Sequence, residues 1–165
     1  MNYEYYMKKA LNLAKKALAE NEFPVGCLIV GGDNILAKGY RTHSSGNSPN
    51  ETDHAEMNAL RQLPQILLRK NSRLTVFITM EPCLMCLGAL LINGIHNIVY
   101  AYEDVMGGAS SLDLACLSPL YNTQKVTIVP NILREESLNL FKDFFKNPEN
   151  RYWRESLLAR YTLSQ

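Results

Sequence analysis

The side chains best suited to chemistry lie in two short segments, His54-Ala55-Glu56 and Pro82-Cys83-Leu84-Met85-Cys86. One imidazole and two thiolates are donors that a tetrahedral zinc site uses, and three protein ligands leave a fourth position for water. Zinc held by His54, Cys83 and Cys86 would lower the pKa of water to about 7, so that hydroxide is available near neutral pH. Glu56, two residues beyond His54, is not needed as a ligand and can carry a proton from water to a leaving group. Other readings stand beside this one. Cys83 and Cys86 alone fit a thioredoxin-like redox pair, or two structural thiols beside a buried histidine, but Pro82 and the accompanying His54 favour zinc. Without a metal, Glu56 is an ordinary charge at a helix start.

These residues must be positioned by regular elements, and the hydrophobic spacing supplies them. Tyr6, Ala10, Leu13, Ala14, Ala17 and Leu18 recur at helical spacing with lysines between them, giving an amphipathic first helix. Val25–Val30 and Ile35–Tyr40 are β-prone runs joined by Gly31-Gly32-Asp33-Asn34, an antiparallel hairpin. From Arg41 to Thr52, Ser, Gly, Asn and Pro mark an exposed loop. Thr52 or Asp53 can cap the next helix, with His54 in its first turn. Leu74–Thr79 is a third strand, and Pro82 is suited to open a helix carrying both cysteines, whose thiolate forms the helix start favours. Ile98–Ala101 follows as a fourth strand, parallel to the third because a helix connects them, and Val126–Val129 as a fifth. Leu138, Phe141, Phe144 and Phe145, then Trp153, Leu157 and Leu158, give one or two amphipathic helices broken near Asn147-Pro148.

Size and charge narrow the class. The chain has 165 residues, enough for one domain with a substantial core, and its 47% hydrophobic and 20% charged fractions are those of a globular protein. A formal charge of +1 provides no general field to gather polyanions, so any nucleic-acid contact is local. The first twenty residues lack the apolar run of a signal peptide, and no stretch is suited to cross a bilayer; a cytoplasmic protein is expected, with its four cysteines as ligands or buried thiols. No repeat or domain boundary is evident. Residues 1–165 are read as one zinc-dependent domain, with 147–165 a helical extension.

The combined pattern, H-x-E followed by P-C-x-x-C, resembles the signature of the zinc-dependent nucleobase deaminases of the cytidine and deoxycytidylate deaminase superfamily. The likeness runs from the first helix to Phe145 and is strongest to the bacterial tRNA adenosine deaminases, on Phe23-Pro24-Val25-Gly26, His54 through Gln62, Thr79 through Cys83, and Asp104 through Leu112. The resemblance implies an α/β fold, a three-layer α/β/α sandwich around a five-stranded mixed sheet. It also implies one zinc ion per chain, a homodimer, and conversion of adenosine to inosine at the tRNA wobble position, with Glu56 as proton carrier. By the same likeness the segment at Glu81 lines the base pocket and Asp104 contacts nucleic acid.

Departures from that pattern cluster where base and RNA would lie. After Gly39-Tyr40 the family commonly has Asn, but this chain has Arg41, which lacks an acceptor atom. Cys27 and Met106 replace a small residue and a lysine, and Asn147-Pro148-Glu149-Asn150 stands where a basic helix often begins. Deamination of a free base or nucleoside, such as guanine or cytosine, is the alternative substrate class. A non-catalytic zinc module is a third reading. Arg41 itself is either a contact for a phosphate or base edge or a solvated loop residue. Cys27 and Cys116 are expected to be small buried residues, His43 solvated, and His96 engaged with backbone near Gly94. Tyr152 and Trp153 are candidates to close over a flat substrate.

Overall fold

The computed structural model describes residues 1–46, 48–63 and 73–165. Its elements are α1 (Tyr3–Ala19), β1 (Gly26–Gly31), β2 (Asn34–Tyr40), α2 (Ala55–Gln62), β3 (Leu74–Met80), α3 (Leu84–Ile92), β4 (Asn97–Tyr102), α4 (Pro119–Asn122), β5 (Thr127–Val129), α5 (Arg134–Lys146) and α6 (Leu157–Ser164). The five strands form one sheet in the order β2-β1-β3-β4-β5. β1 is antiparallel to β2 and β3, whereas β3, β4 and β5 run parallel. The expected mixed sheet, hairpin and crossover are all present.

β3 (Leu74-Thr-Val-Phe-Ile-Thr-Met80) is buried throughout because helices cover both faces of the sheet. On one face Tyr6, Met7, Ala10 and Ala14 of α1 pack with Leu28, Val30, Phe77 and Val99. On the other, Ala55 and Ala59 of α2 and Leu87, Leu90 and Leu91 of α3 pack against Ile29, Val76 and Ile78. Burying these aliphatic side chains contributes roughly 1.5–3 kcal/mol each before the entropy of ordering the chain is counted. Asn2 caps α1 by accepting from Tyr5 N–H at 3.0 Å. Phe141, Phe144 and Phe145 join the core as their spacing suggests.

Gly39 brings α2 flush against β2. A β-carbon there would lie 2.1 Å from the Ala55 carbonyl oxygen and 2.6 Å from Ala59 N. The C-terminal end of the chain is tied back to the sheet: Tyr102 Oη and Thr162 Oγ1 are 2.9 Å apart in the interior, and Glu103 accepts from Arg134 and from Tyr161. No helix among the described residues is long and apolar enough to cross a membrane.

The structure corrects several local expectations. Neither Thr52 nor Asp53 caps α2, and Pro82 does not open α3: the N-cap positions are His54 and Cys83. The Arg41–Thr52 segment, of which Asn47 lies outside the described residues, is not uniformly exposed, since Arg41 and Ser44 are buried. Glu22 draws it inward by accepting from Ser44 N–H at 2.6 Å and Ser45 N–H at 3.0 Å. Cys27 is buried but Cys116 is exposed. His43 is exposed yet bonded, its Nδ1 2.8 Å from Asp53. Among the described residues His96 Nε2 has no hydrogen-bond partner, so that nitrogen does not satisfy backbone near Gly94.

Candidate active site

The site forms where the start of α2 meets the end of β3 and the start of α3. His54 and Cys83 take positions that usually fall to Ser, Thr, Asp or Asn, and neither side chain bonds a helix N–H. Giving up such a cap costs about 1 kcal/mol per helix. In return, two helix N-termini converge on one point, each with a field that favours anions.

Cys83 Sγ and Cys86 Sγ lie 3.6 and 3.5 Å from His54 Nδ1. A tetrahedral zinc with bonds of about 2.3 Å to sulfur and about 2.05 Å to nitrogen separates those atoms by ~3.6 Å, so the donors stand at the edges of such a tetrahedron. Imidazole with two thiolates is also a donor set suited to zinc. Among the described residues no other three His, Cys, Asp or Glu side chains converge in this way.

Hydrogen bonding from Cys86 and from His54 holds the Cys83 thiol down to about 4 against the effect of burial. Cys86 is pushed up by that same bond and by burial. A cation bound between the two sulfurs would favour both thiolates and displace their protons. Burial works to lower the His54 imidazole, but its bond to Cys83 and the nearby Glu56 charge raise it overall. Glu56, 3% exposed, is pushed above the usual carboxylate range by burial, with His54 opposing. A carboxylate raised in this way is suited to accept a proton and release it.

A cavity of about 360 Å³ opens onto these groups, with Phe23, Val25, Met80 and Leu158 as apolar wall. Glu81, Asp104, Arg41, Tyr152 and Trp153 also line it. Glu81 braces the neighbouring loop: its carboxylate accepts Asp104 N–H and Ser110 N–H, both at 3.0 Å. A β-carbon on Gly108 would come within 2.4 Å of that carboxyl group, so only glycine lets the loop approach. Asp104 accepts Met106 N–H at 2.9 Å and Gly107 N–H at 3.0 Å, and burial raises its carboxyl.

Arg41, 2% exposed, is not a solvated loop residue. It donates to Asn50 O at 2.9 Å, Glu51 Oε2 at 3.0 Å and Tyr152 Oη at 3.3 Å. Glu51, which sequence reasoning passed over as loop, ties these groups to the site, for Oε2 lies 3.9 Å from His54 Nε2. At that distance the carboxylate is an electrostatic neighbour of the imidazole and not a hydrogen-bond partner. Nothing local in the sequence marks Glu51, since its hydrogen-bond partners are Arg41, just after β2, and Tyr152, near the chain end.

Fold and site together are those of a hydrolytic enzyme that works with zinc. The chain belongs to the cytidine and deoxycytidylate deaminase family, whose zinc-binding region matches residues 1–102. It is 35% identical over 151 residues to a tRNA-specific adenosine deaminase of Buchnera aphidicola, covering 87% of this chain and 88% of that protein. A tRNA-specific adenosine deaminase of Streptococcus pyogenes is 32% identical over 151 residues, 89% of this chain and 92% of its own length. Among solved structures, one from a study of A-to-I editing by tRNA deaminases at the wobble position superposes with a TM-score of 0.62 at 23% identity, over 82% of this chain and 98% of that one. The guanine deaminase of Nitrosomonas europaea superposes with a TM-score of 0.67 at 19% identity, over 86% and 83%. The fold is common to both, and the family's reaction is hydrolytic removal of a nucleobase amino group.

Proposed function

We propose that residues 1–165 act as a single deaminase domain, with 147–165 an extension that is helical over Leu157–Ser164 and not before it, that converts adenosine in tRNA to inosine at the wobble position. His54, Cys83 and Cys86 hold one zinc ion per chain, and Glu56 carries the protons. The observation that carries this reading is the buried Glu56 beside three convergent zinc donors in one cavity. The likeness to tRNA-specific adenosine deaminases over most of both chains supports the substrate.

Bound zinc supplies the Lewis acidity that makes water a competent nucleophile near neutral pH. Glu56 accepts a proton as the water oxygen bonds to the ring carbon bearing the amino group. It gives that proton to the adjacent ring nitrogen, then takes the proton of the newly attached hydroxyl and passes it to the amine, so that a carbonyl forms as the C–N bond breaks and ammonia leaves. The apolar wall of Phe23, Val25, Met80 and Leu158 suits the face of a base. Glu81 and Asp104 shape the rim where a base and its flanking nucleotides enter. Exposed Leu84, Met85 and Ile92 on α3 form an apolar face suited to a homodimer. The enzyme works in the cytoplasm, where its substrate resides.

A second reading, deamination of a free base or nucleoside, is favoured by Arg41 in place of the family's Asn and by the walling of the cavity by Tyr152 and Trp153. Ammonia release by zinc-loaded protein, run on unmodified tRNA beside a panel of bases and nucleosides, separates the two. Release from tRNA alone supports the wobble reaction, release from one small molecule replaces it with the second reading, and release from neither refutes both.

A further inference from the structure

We infer that Trp153, backed by Tyr152, is the surface on which the ring of the target base stacks, and that Arg41 is the positioning residue that holds this surface in place. The inference rests on reading the cavity as a nucleobase site. It goes further by naming the chain's own stacking platform and the buried cluster that sets it.

Tyr152 and Trp153 line the same cavity as His54 and Glu56. Their rings are stacked, 5.4 Å between centroids and 27° between planes. Tyr152 is fixed on several sides. Phe23 meets it edge-on at 5.5 Å, its hydroxyl donates to Glu51 at 2.9 Å, and Arg41 lies 5.8 Å over its ring. Trp153, in contrast, is 39% exposed. Its backbone has φ of 54°, a left-handed conformation that a bulky side chain seldom adopts. Such strain persists only where surrounding contacts impose it, and here it sets a large flat ring at the cavity wall.

An anchored ring under a freer one makes a stacking platform. Stacking needs only a flat π face, so the platform accepts any planar heteroaromatic ring and leaves recognition of exocyclic groups to polar atoms elsewhere. Arg41 reaches the platform only through Tyr152 and Glu51. Glu51 Oε2 accepts from both Arg41 and Tyr152, so one carboxylate oxygen joins the two residues behind Trp153. A ring stacked on Trp153 lies in the cavity that His54 and Glu56 also line.

Trp153 is the only tryptophan of the chain, so its fluorescence reports the platform directly. Zinc-loaded protein carrying Glu56→Gln, to block turnover, is titrated with adenine, adenosine, guanine, cytidine and an anticodon stem-loop RNA, while wild-type protein is assayed for ammonia on the same panel. The expected result is saturable quenching by whichever compound the wild type deaminates. Trp153→Ala should raise KM roughly 5- to 150-fold with little change in kcat, and Trp153→Phe should restore most of it. Arg41→Met should raise KM and the quenching midpoint together, which loss of fold alone would not do. Quenching by the RNA only, or by a free base only, supports the platform in either case and shows how the ring is presented. A compound that is turned over without quenching, and with KM unchanged in Trp153→Ala, overturns the inference while leaving the deaminase reading intact. Quenching without ammonia from any compound keeps the platform and refutes the deaminase reading. Neither quenching nor ammonia refutes both.

Discussion

Replacing Gly39 with alanine should damage the active site from behind, although the residue faces away from the chemistry. The new β-carbon would sit 2.1 Å from the Ala55 carbonyl oxygen, a separation that real contacts do not show below 3.0 Å. Relief requires α2 to withdraw by the difference, about 0.9 Å. Both close neighbours, Ala55 O and Ala59 N, are helix backbone, so no side-chain rotation helps and Ala59→Gly in the same chain should not rescue it. α2 begins at the His54 cap and carries Glu56, so the shift moves one ligand and the proton carrier relative to Cys83 and Cys86. A misplacement of about 1 Å costs on the order of 100-fold in rate, and overpacking costs about 1–3 kcal/mol in stability. At roughly 2–4 °C per kcal/mol for a chain of this size, Tm should fall by about 2–12 °C. Scanning calorimetry, a competitive zinc titration and ammonia release check the three effects. A Gly39→Ala protein with unaltered Tm, zinc affinity and kcat refutes the reasoning.

Two further outcomes are expected. Glu56→Gln keeps the shape of the side chain and all three zinc donors, so zinc content should be unchanged while kcat falls roughly 100- to 10,000-fold; turnover within tenfold of wild type would remove Glu56 from the mechanism. Partial burial works to raise the Glu103 carboxyl, but hydrogen bonds from Arg134 and Tyr161 outweigh it and hold it at about 2. Because the folded value lies below the ordinary 4.5, Glu103 contributes stability that is fully present above that pH and is lost as pH falls towards 2. After solvent screening this is on the order of 1–2 kcal/mol. Glu103→Gln should flatten that acid limb in urea titrations between pH 5 and 2, and parallel curves for the two proteins would exclude the linkage.

The sheet and the zinc donors were legible in sequence because they rest on local signals. β1 and β2 are β-prone runs joined by a Gly-rich turn, and Cys83 and Cys86 sit a helical turn apart just after a strand. The cap positions were misplaced because Thr52, Asp53 and Pro82 are stronger local helix starters than His54 and Cys83, and the site overrides that preference. Sequence leaves Arg41 open between a contact for a phosphate or base edge and a solvated loop residue, because its neighbourhood is polar. Its burial depends on Tyr152, 111 residues away, for which local composition carries no mark. Gly39 did carry a usable sign, since glycine inside a strand often indicates close backbone approach.

The strand order has a consequence for how the enzyme comes into being. The β1–β2 hairpin closes between Gly31 and Asn34, but β1 also pairs Cys27 with Ile78 of β3, across a long stretch of chain. Closing that larger loop costs more entropy and comes later than the hairpin. His54 and Cys83 are 29 residues apart and close a shorter loop than the one between β1 and β3. Zinc held there would join the elements on both sides of β3, so that metal binding and completion of the sheet stabilise each other.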